Sequence, residues 1–227
     1  MKRKSVTTKE RILLAAAELF AENGFQGTTH QMICTQADVN IAAINYHFGN
    51  KESLYLKVWE YLVEIGLQDY RDFIHDDDFS EEQLRSFIKW RVKAVTDTGL
   101  RGFLCQIGRR EMNKPSPVHN ELEDRYMKEK RAWFYSLIRD IVGHELDART
   151  IAMVSFCIYS PLIHLIEIKG IMQTSLEDPF KEQFASFWED PDALAESIYT
   201  FALAGLKQIS DGSQIPSEKG WRFEKSK

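Results

Sequence analysis

Residues 28–51 read TTHQMICTQADVNIAAINYHFGNK, and the fold turns on how this stretch divides. Its apolar side chains recur at helical rather than alternating spacing: Met32, Ile33 and Ala37 form one group, Ile44 and Phe48 a second. Thr28 with Gln31 three residues on fits a capping box, which predicts a helix of barely two turns starting at Thr28 or Thr29. Asp38-Val39-Asn40 breaks it, because Asp38 tolerates a left-handed backbone and Asn40 is a good cap for the next helix. That third helix runs from Ile41 to about Phe48. Gly49-Asn50 closes it, and Asn50 can cap a long fourth helix from Lys51 to about His75, with Leu54, Val58, Leu62 and Ile65 on its apolar side.

Upstream, Ile12, Leu13, Ala16, Leu19 and Phe20 make one face of a helix from about Lys9 to Asn23, capped by Thr7 or Thr8 and stopped by Gly24. Downstream, Asp76-Asp77-Asp78 reads as a solvated turn, and Ser80 with Gln83 as a second capping box before Leu84, Phe87, Ile88, Val92 and Val95. Further helices are expected at Leu100–Asn113, from Ser116-Pro117 through Val142 to Gly143, from Asp147 to Lys169 with a kink at Pro161, and over about 192–209 behind Asp190-Pro191. Residues 171–190 read as irregular with one turn around Phe184, and the tail from Asp211 as mobile. Strand signals are nearly absent, so the chain is expected to be all-α.

The 227 residues are 44% hydrophobic with only 12 Gly and 6 Pro, which excludes collagen-like and disordered classes. Apolar runs such as Val154–Ile158 and Leu162–Ile166 fall far short of the roughly 20 residues that span a bilayer. No secretory signal is visible, and Cys34, Cys105 and Cys157, odd in number and widely spaced, suit reduced thiols; a cytoplasmic protein away from membranes is expected. There is no GxGxxG, phosphate loop, HExxH or CxxC, and six scattered histidines lack metal-ligand spacing. Neither an enzyme, nor a cofactor, nor a metal is expected.

Net charge is −5, against a protein that coats nucleic acid over its whole surface. Yet residues 1–60 carry seven Lys/Arg against six Asp/Glu, and five of those cations lie in the first eleven residues. Two short helices across a three-residue turn, followed by a long one, give the layout of a helix-turn-helix reader of duplex DNA. The third helix would turn Ala42, Ala43, Asn45 and Tyr46 outward, with Ile41 and His47 at the edges, while Val39, Ile44 and Phe48 face inward. That outer face has no Lys or Glu. Alanines allow close approach to base edges, Asn45 can donate and accept as adenine requires, and methyl groups can touch thymine. Thr28, Thr29, Tyr46, His47 and Lys51 are placed to hold phosphates on either side, and the arm Lys2-Arg3-Lys4 could add contacts. The competing reading is a three-helix packing unit that touches no nucleic acid.

From Ile12 to Leu54, through Ala16, Phe20, Gly24, Thr28-Thr29, Ile33, Ala37, Val39, Ile44, Tyr46-His47-Phe48 and Lys51-Glu52, the sequence resembles the DNA-binding domain of the Tet-repressor (TetR) family. It departs at Asp38, where the family usually has Gly, and at Asn45, where Tyr is common. Arg110-Glu111-Met112, Pro115-Ser116-Pro117 and Phe201 to Gly205 are similar to a branch that includes CecR-type regulators, which suggests control of genes for drug or toxic-compound handling.

The family resemblance implies a helix-turn-helix DNA-binding domain (1–53), a helical ligand-binding and dimerisation domain (54–210) and a tail (211–227). It implies a homodimeric repressor released from a palindromic operator by a small apolar or amphipathic inducer. Ile151, Val154, Ile158, Leu162, Leu165, Leu194, Ile198, Phe201 and Gly205 offer apolar surface for the dimer. Trp90, Phe103, Cys105, Arg109, Trp133, Tyr159 and His164 mix aromatic walls with polar groups as ligand cavities do. A helical small-molecule carrier or enzyme with a vestigial helix-turn-helix is the alternative, and an activator or architectural DNA binder without an inducer a third.

Overall fold

The computed structural model describes residues 7–73, 79–172, 185 and 188–211. The basic arm, the Asp76–Asp78 turn, the turn around Phe184 and the tail beyond Asp211 lie outside the described residues. Helix α1 (Thr8–Gly27) opens with a capping box: Thr7 Oγ1 accepts from Glu10 N–H at 3.2 Å, and the Glu10 carboxylate accepts from Thr7 N–H at 2.7 Å. Gly24, at φ 71°, breaks the helical backbone three residues before its end. Helix α2 (His30–Ala37) is capped by Thr29, and Asp38 ends it in the left-handed region at φ 51°. Helix α3 (Ile41–Phe48) is capped by Asn40, whose side chain accepts from Ala43 N–H at 2.9 Å. Asn50 accepts from Ser53 N–H at 2.8 Å at the head of α4 (Lys51–Phe73).

These four helices close one apolar core around Ile12, Phe20, Ile33, Ile44, Leu54 and Trp59, which also takes in Ile107 and Leu122 from further along the chain. A second core joins Leu84, Phe87, Ile88 and Val92 of α5 (Ser80–Thr96) to Phe134 and Ile138 of α8 (Lys128–Val142), Ile158 and Leu162 of α9 (Ala148–Met172) and Tyr199 of α10 (Pro191–Ser210). Over Ala148–Gly170, α9 is long and apolar enough to cross a bilayer by length and composition, with a mean hydropathy of 1.8. The fold uses one side of it as core.

Helix α6 (Leu100–Asn113) lies between the two cores. Arg110 donates from Nε to Ala21 O at 2.7 Å and from Nη2 to Glu22 O, so it caps carbonyls near the end of α1. Buried Glu111 accepts from Tyr55 Oη of α4 at 2.9 Å, and from Ser116 N–H at 2.8 Å and Ser116 Oγ at 2.9 Å; His119 Nδ1 lies 3.1 Å away.

Two expected caps are corrected. Ser80 already lies in the first turn of α5, where Phe79 takes the cap position without a side-chain bond. Ser116 does not start a helix, because its amide and hydroxyl are both claimed by Glu111; the chain turns helical at α7 (His119–Leu122) and passes a π-helical turn at Glu123–Met127 before α8.

Candidate nucleic-acid interface

Helix α3 is held from behind by Ile44 and Phe48, which are 0% and 7% exposed. That anchoring turns the opposite side out: Ile41 is 50% and Tyr46 83% exposed, Ala42 and Asn45 are exposed, and Ala43 and His47 are half-buried. Tyr46 and His47 pack edge to face, ring centroids 5.0 Å apart, so the exposed phenol stands on a neighbouring ring. Beside the first turn of α3 opens a groove of about 700 Å³ lined by Thr8, Arg11, Gln31, Thr35, Asp38 and Asn40 among others. Of these, Thr8, Arg11, Gln31 and Thr35 were not anticipated from sequence, since each is an ordinary polar residue and only packing gathers them from α1 and α2.

The expected phosphate clamps divide. Thr29 is exposed, and its Oγ1 accepts from Met32 N–H at 3.2 Å. Lys51 is half-buried with Nζ 4.4 Å from the Phe25 ring centroid, and desolvation lowers its pKa, with Glu52 acting in the opposite direction. Thr28 is corrected: it is 0% exposed, and its hydroxyl donates to Leu19 O at 3.0 Å and Gly24 O at 2.9 Å. The chain bends at Gly24, which brings the Thr28 hydroxyl back onto both carbonyls. It is therefore neither the cap of α2 nor a surface group.

Comparison with known proteins matches two stretches of the chain. Residues 12–58 match the family described as "Bacterial regulatory proteins, tetR family". Residues 80–206, more than half of the chain, match "HTH-type transcriptional dual regulator CecR, C-terminal domain". The chain belongs to the tetR family, with a C-terminal domain of the CecR kind. Both descriptions are of regulatory proteins, the second of the helix-turn-helix type. Among relatives, the negative regulator IcaR of the biofilm operon icaADBC from Staphylococcus epidermidis is 35% identical over 83 residues, covering 35% of this chain and 43% of that protein. The dual regulator CecR of Shigella flexneri is 38% identical over 68 residues, covering 30% of each chain. The chain thus spans less than half the length of either. Among solved structures, a tetR-family protein from Rhodococcus RHA1 superposes with a TM-score of 0.65 at 20% identity, covering 88% of this chain and 97% of that one. FadR from Bacillus subtilis in complex with stearoyl-CoA gives 0.62 at 16% identity, covering 86% and 97%.

In the C-terminal half of this tetR-family chain, the expected ligand residues come only partly together. Trp90, Trp133 and Tyr159 surround Phe87 with ring centroids 6.2, 5.6 and 5.6 Å from it, and burial pushes the Tyr159 phenol up to about 12. Cys105 is buried and accepts from Arg91 Nη1 at 3.7 Å. Phe103 instead packs against the N-terminal core, Arg109 pairs with Glu167 at 3.0 Å, and His164 is exposed. Helix phase separates them: two residues along a helix is over half a turn, so Phe103 points away from Cys105, and His164 from Leu162. Arg91 and Lys130 were missed. Their signal was positional, as Arg91 lies four after Phe87 and Lys130 four before Phe134, on the buried stripes of α5 and α8.

The dimer set is corrected as well. Ile151, Val154, Ile158, Leu162 and Leu165 are at most 6% exposed within this one chain, and Leu194 and Ile198 pack on the same core. Phe201, at 85%, and Gly205 remain on the surface. The outer side of α9 contributes Met153 at 40% and Phe156 at 72%. Since α9 is apolar on most of its circumference, sequence could not tell which side the chain keeps for itself.

Proposed function

We propose that this chain is a ligand-responsive repressor that binds a palindromic operator as a homodimer. Residues 1–53 form its reader and 54–210 its ligand-binding and dimerisation body, and it works in the cytoplasm. The observation that carries the reading is the face of α3. Its apolar back is fully engaged, while Ile41, Ala42, Asn45 and Tyr46 stand exposed with no Lys or Glu among them. A solvated helix face would be charged; one that enters a major groove needs small, hydrogen-bonding and methyl-bearing groups. Thr29, Tyr46, His47 and Lys51 set the register through phosphates, and Arg11 joins them from α1.

Dimerisation uses the exposed apolar strip of α9 and α10, namely Met153, Phe156, Phe201 and Gly205. A two-fold axis there presents two readers about 34 Å apart, one helical turn of DNA. Helix α6 links the body to the reader through Arg110 on α1 and Glu111 on Tyr55. A ligand that shifts α6 alters the spacing of the two readers, so both half-sites can no longer be engaged together.

An electrophoretic shift assay on the DNA upstream of the protein's own gene tests the reading. Sequence-selective binding that weakens steeply with salt is expected, with loss of at least tenfold in affinity on replacing Tyr46 and Lys51 by Ala. Binding indifferent to sequence, or unchanged in that variant, would overturn it.

A further inference from the structure

Two cations lean on one aromatic ring inside the C-terminal half, and no acid among the described residues answers them. Lys130 on α8 holds Nζ 5.4 Å from the Trp90 ring centroid, and Arg91 on α5 holds its guanidinium carbon 5.8 Å from the same centroid. Neither forms an ion pair among the described residues. Arg91 Nε is buried without a hydrogen-bond partner, while Nη1 reaches Cys105 Sγ at 3.7 Å. Desolvation, then the charge of Arg91, pull the Lys130 ammonium down to about 7, with Cys105 acting in the opposite direction. Lysine ordinarily covers its stem and keeps its ammonium in water. Here the residue is half-buried, and its ammonium is held over the Trp90 ring beside a second cation. Holding two like charges against one buried ring, with a guanidinium N–H left without a partner, is costly unless a negative group completes the site.

We propose that Arg91 and Lys130 form the head-group site for a carboxylate ligand. This rests on the proposal that the C-terminal half takes an inducer, and it names the inducer's chemical class: an organic acid on an apolar or aromatic body. With Nη1 occupied by Cys105, the open edge of the guanidinium is the one carrying Nε–H and Nη2, a planar fork that matches a carboxylate with two parallel hydrogen bonds. Lys130 supplies a third donor from the opposite helix. Phe87, Trp133 and Tyr159 continue from Trp90 as a connected set of rings, and Trp133 and Tyr159 are half-buried, so the body of the ligand has an aromatic wall that reaches the surface. A phosphate is disfavoured, because its additional charged oxygens would face these rings unpaired.

The test is calorimetric titration of the full chain at pH 7 with 4-phenylbutyrate and octanoate, beside the neutral amides of the same two bodies and octyl phosphate. At least one acid is expected to bind tenfold or more tightly than its amide, with proton uptake, read from enthalpies in two buffers, as Lys130 recharges. Arg91→Gln and Lys130→Met are each expected to weaken that acid tenfold or more. Lys130→Gln provides a second variant if the methionine chain fails to fold, and the acid-to-amide ratio of the unmodified protein requires no variant at all. Failure of both acids to bind, amides binding as well as acids, octyl phosphate binding more tightly than octanoate, or undiminished affinity in the variants would each overturn the proposal. No DNA enters these measurements. Their failure leaves the operator reading standing, and failure of the shift assay leaves the carboxylate site separately measured.

Discussion

At Asp38 the backbone adopts φ 51° and ψ 57°, a conformation that costs an ordinary L-residue about 1–2 kcal/mol and glycine nothing. Its amide still donates to Cys34 O and Thr35 O, so the strain ends α2 and aims α3. Asp38→Gly is expected to raise the unfolding free energy by about 0.5–1 kcal/mol, since relief of strain exceeds the added chain entropy. Asp38→Val should lower it by about 2 kcal/mol. Urea unfolding midpoints of the three proteins check both. The pairing of Asp38 with Arg11, 3.8 Å apart and fully solvated on the Asp side, has little bearing on the outcome. The tolerance of Asp for this conformation was legible in sequence. The fate of Thr28 was not: its hydroxyl donates to Leu19 O and Gly24 O, and nothing local says that the chain folds back over them.

Among elements, α6 joins the two cores. One carboxylate, Glu111, holds a tyrosine of α4 and the turn at Ser116 at once. Desolvation and the adjacent carboxylate raise the Tyr55 pKa well above its ordinary value, so the phenol remains the donor. Glu111→Ala would strand the Tyr55 hydroxyl and the Ser116 amide in the interior. A loss of about 2–4 kcal/mol is expected from two unsatisfied buried groups, read as a lowered thermal midpoint. Glu111→Gln, which still accepts one of these bonds, should lose less. The length of α3 was readable from its cap at Asn40 and its stop at Gly49. The start of the chain segment leading into α8 was not, because the competitor for Ser116 is five residues back and buried.

For the whole molecule, the two cations beside Trp90, unpaired among the described residues, and the bare strip on the outside make separate predictions. The Lys130 pKa, about 7 when folded against an ordinary 10.5, means that the unfolded chain holds the proton more tightly. The destabilisation is therefore complete below pH 7 and fades as pH rises from 7 toward 10.5. The stability advantage of Lys130→Met over the unmodified protein should be greatest near pH 6 and shrink toward pH 9, with Arg91 and Cys105 facing the group from α5 and α6. On the outside, Phe156 and Phe201 are 72% and 85% exposed, more apolar surface than a lone chain gains from leaving bare. Replacing both by Asp is expected to give a folded monomer in sedimentation, with helix content unchanged and operator affinity reduced at least a hundredfold through loss of the second reader.

Sequence by itself determined the helices of the reader and the chemistry of its face, because caps, turns and the spacing of Ile44 and Phe48 are local and fix which side of α3 is left outside. Tertiary structure alone decided which side of α9 the chain buries, that Thr28 turns inward, and that Arg91 and Lys130 meet over Trp90. Those outcomes depend on helices far apart in sequence competing for the same apolar surface, and periodicity within one helix carries no record of that competition.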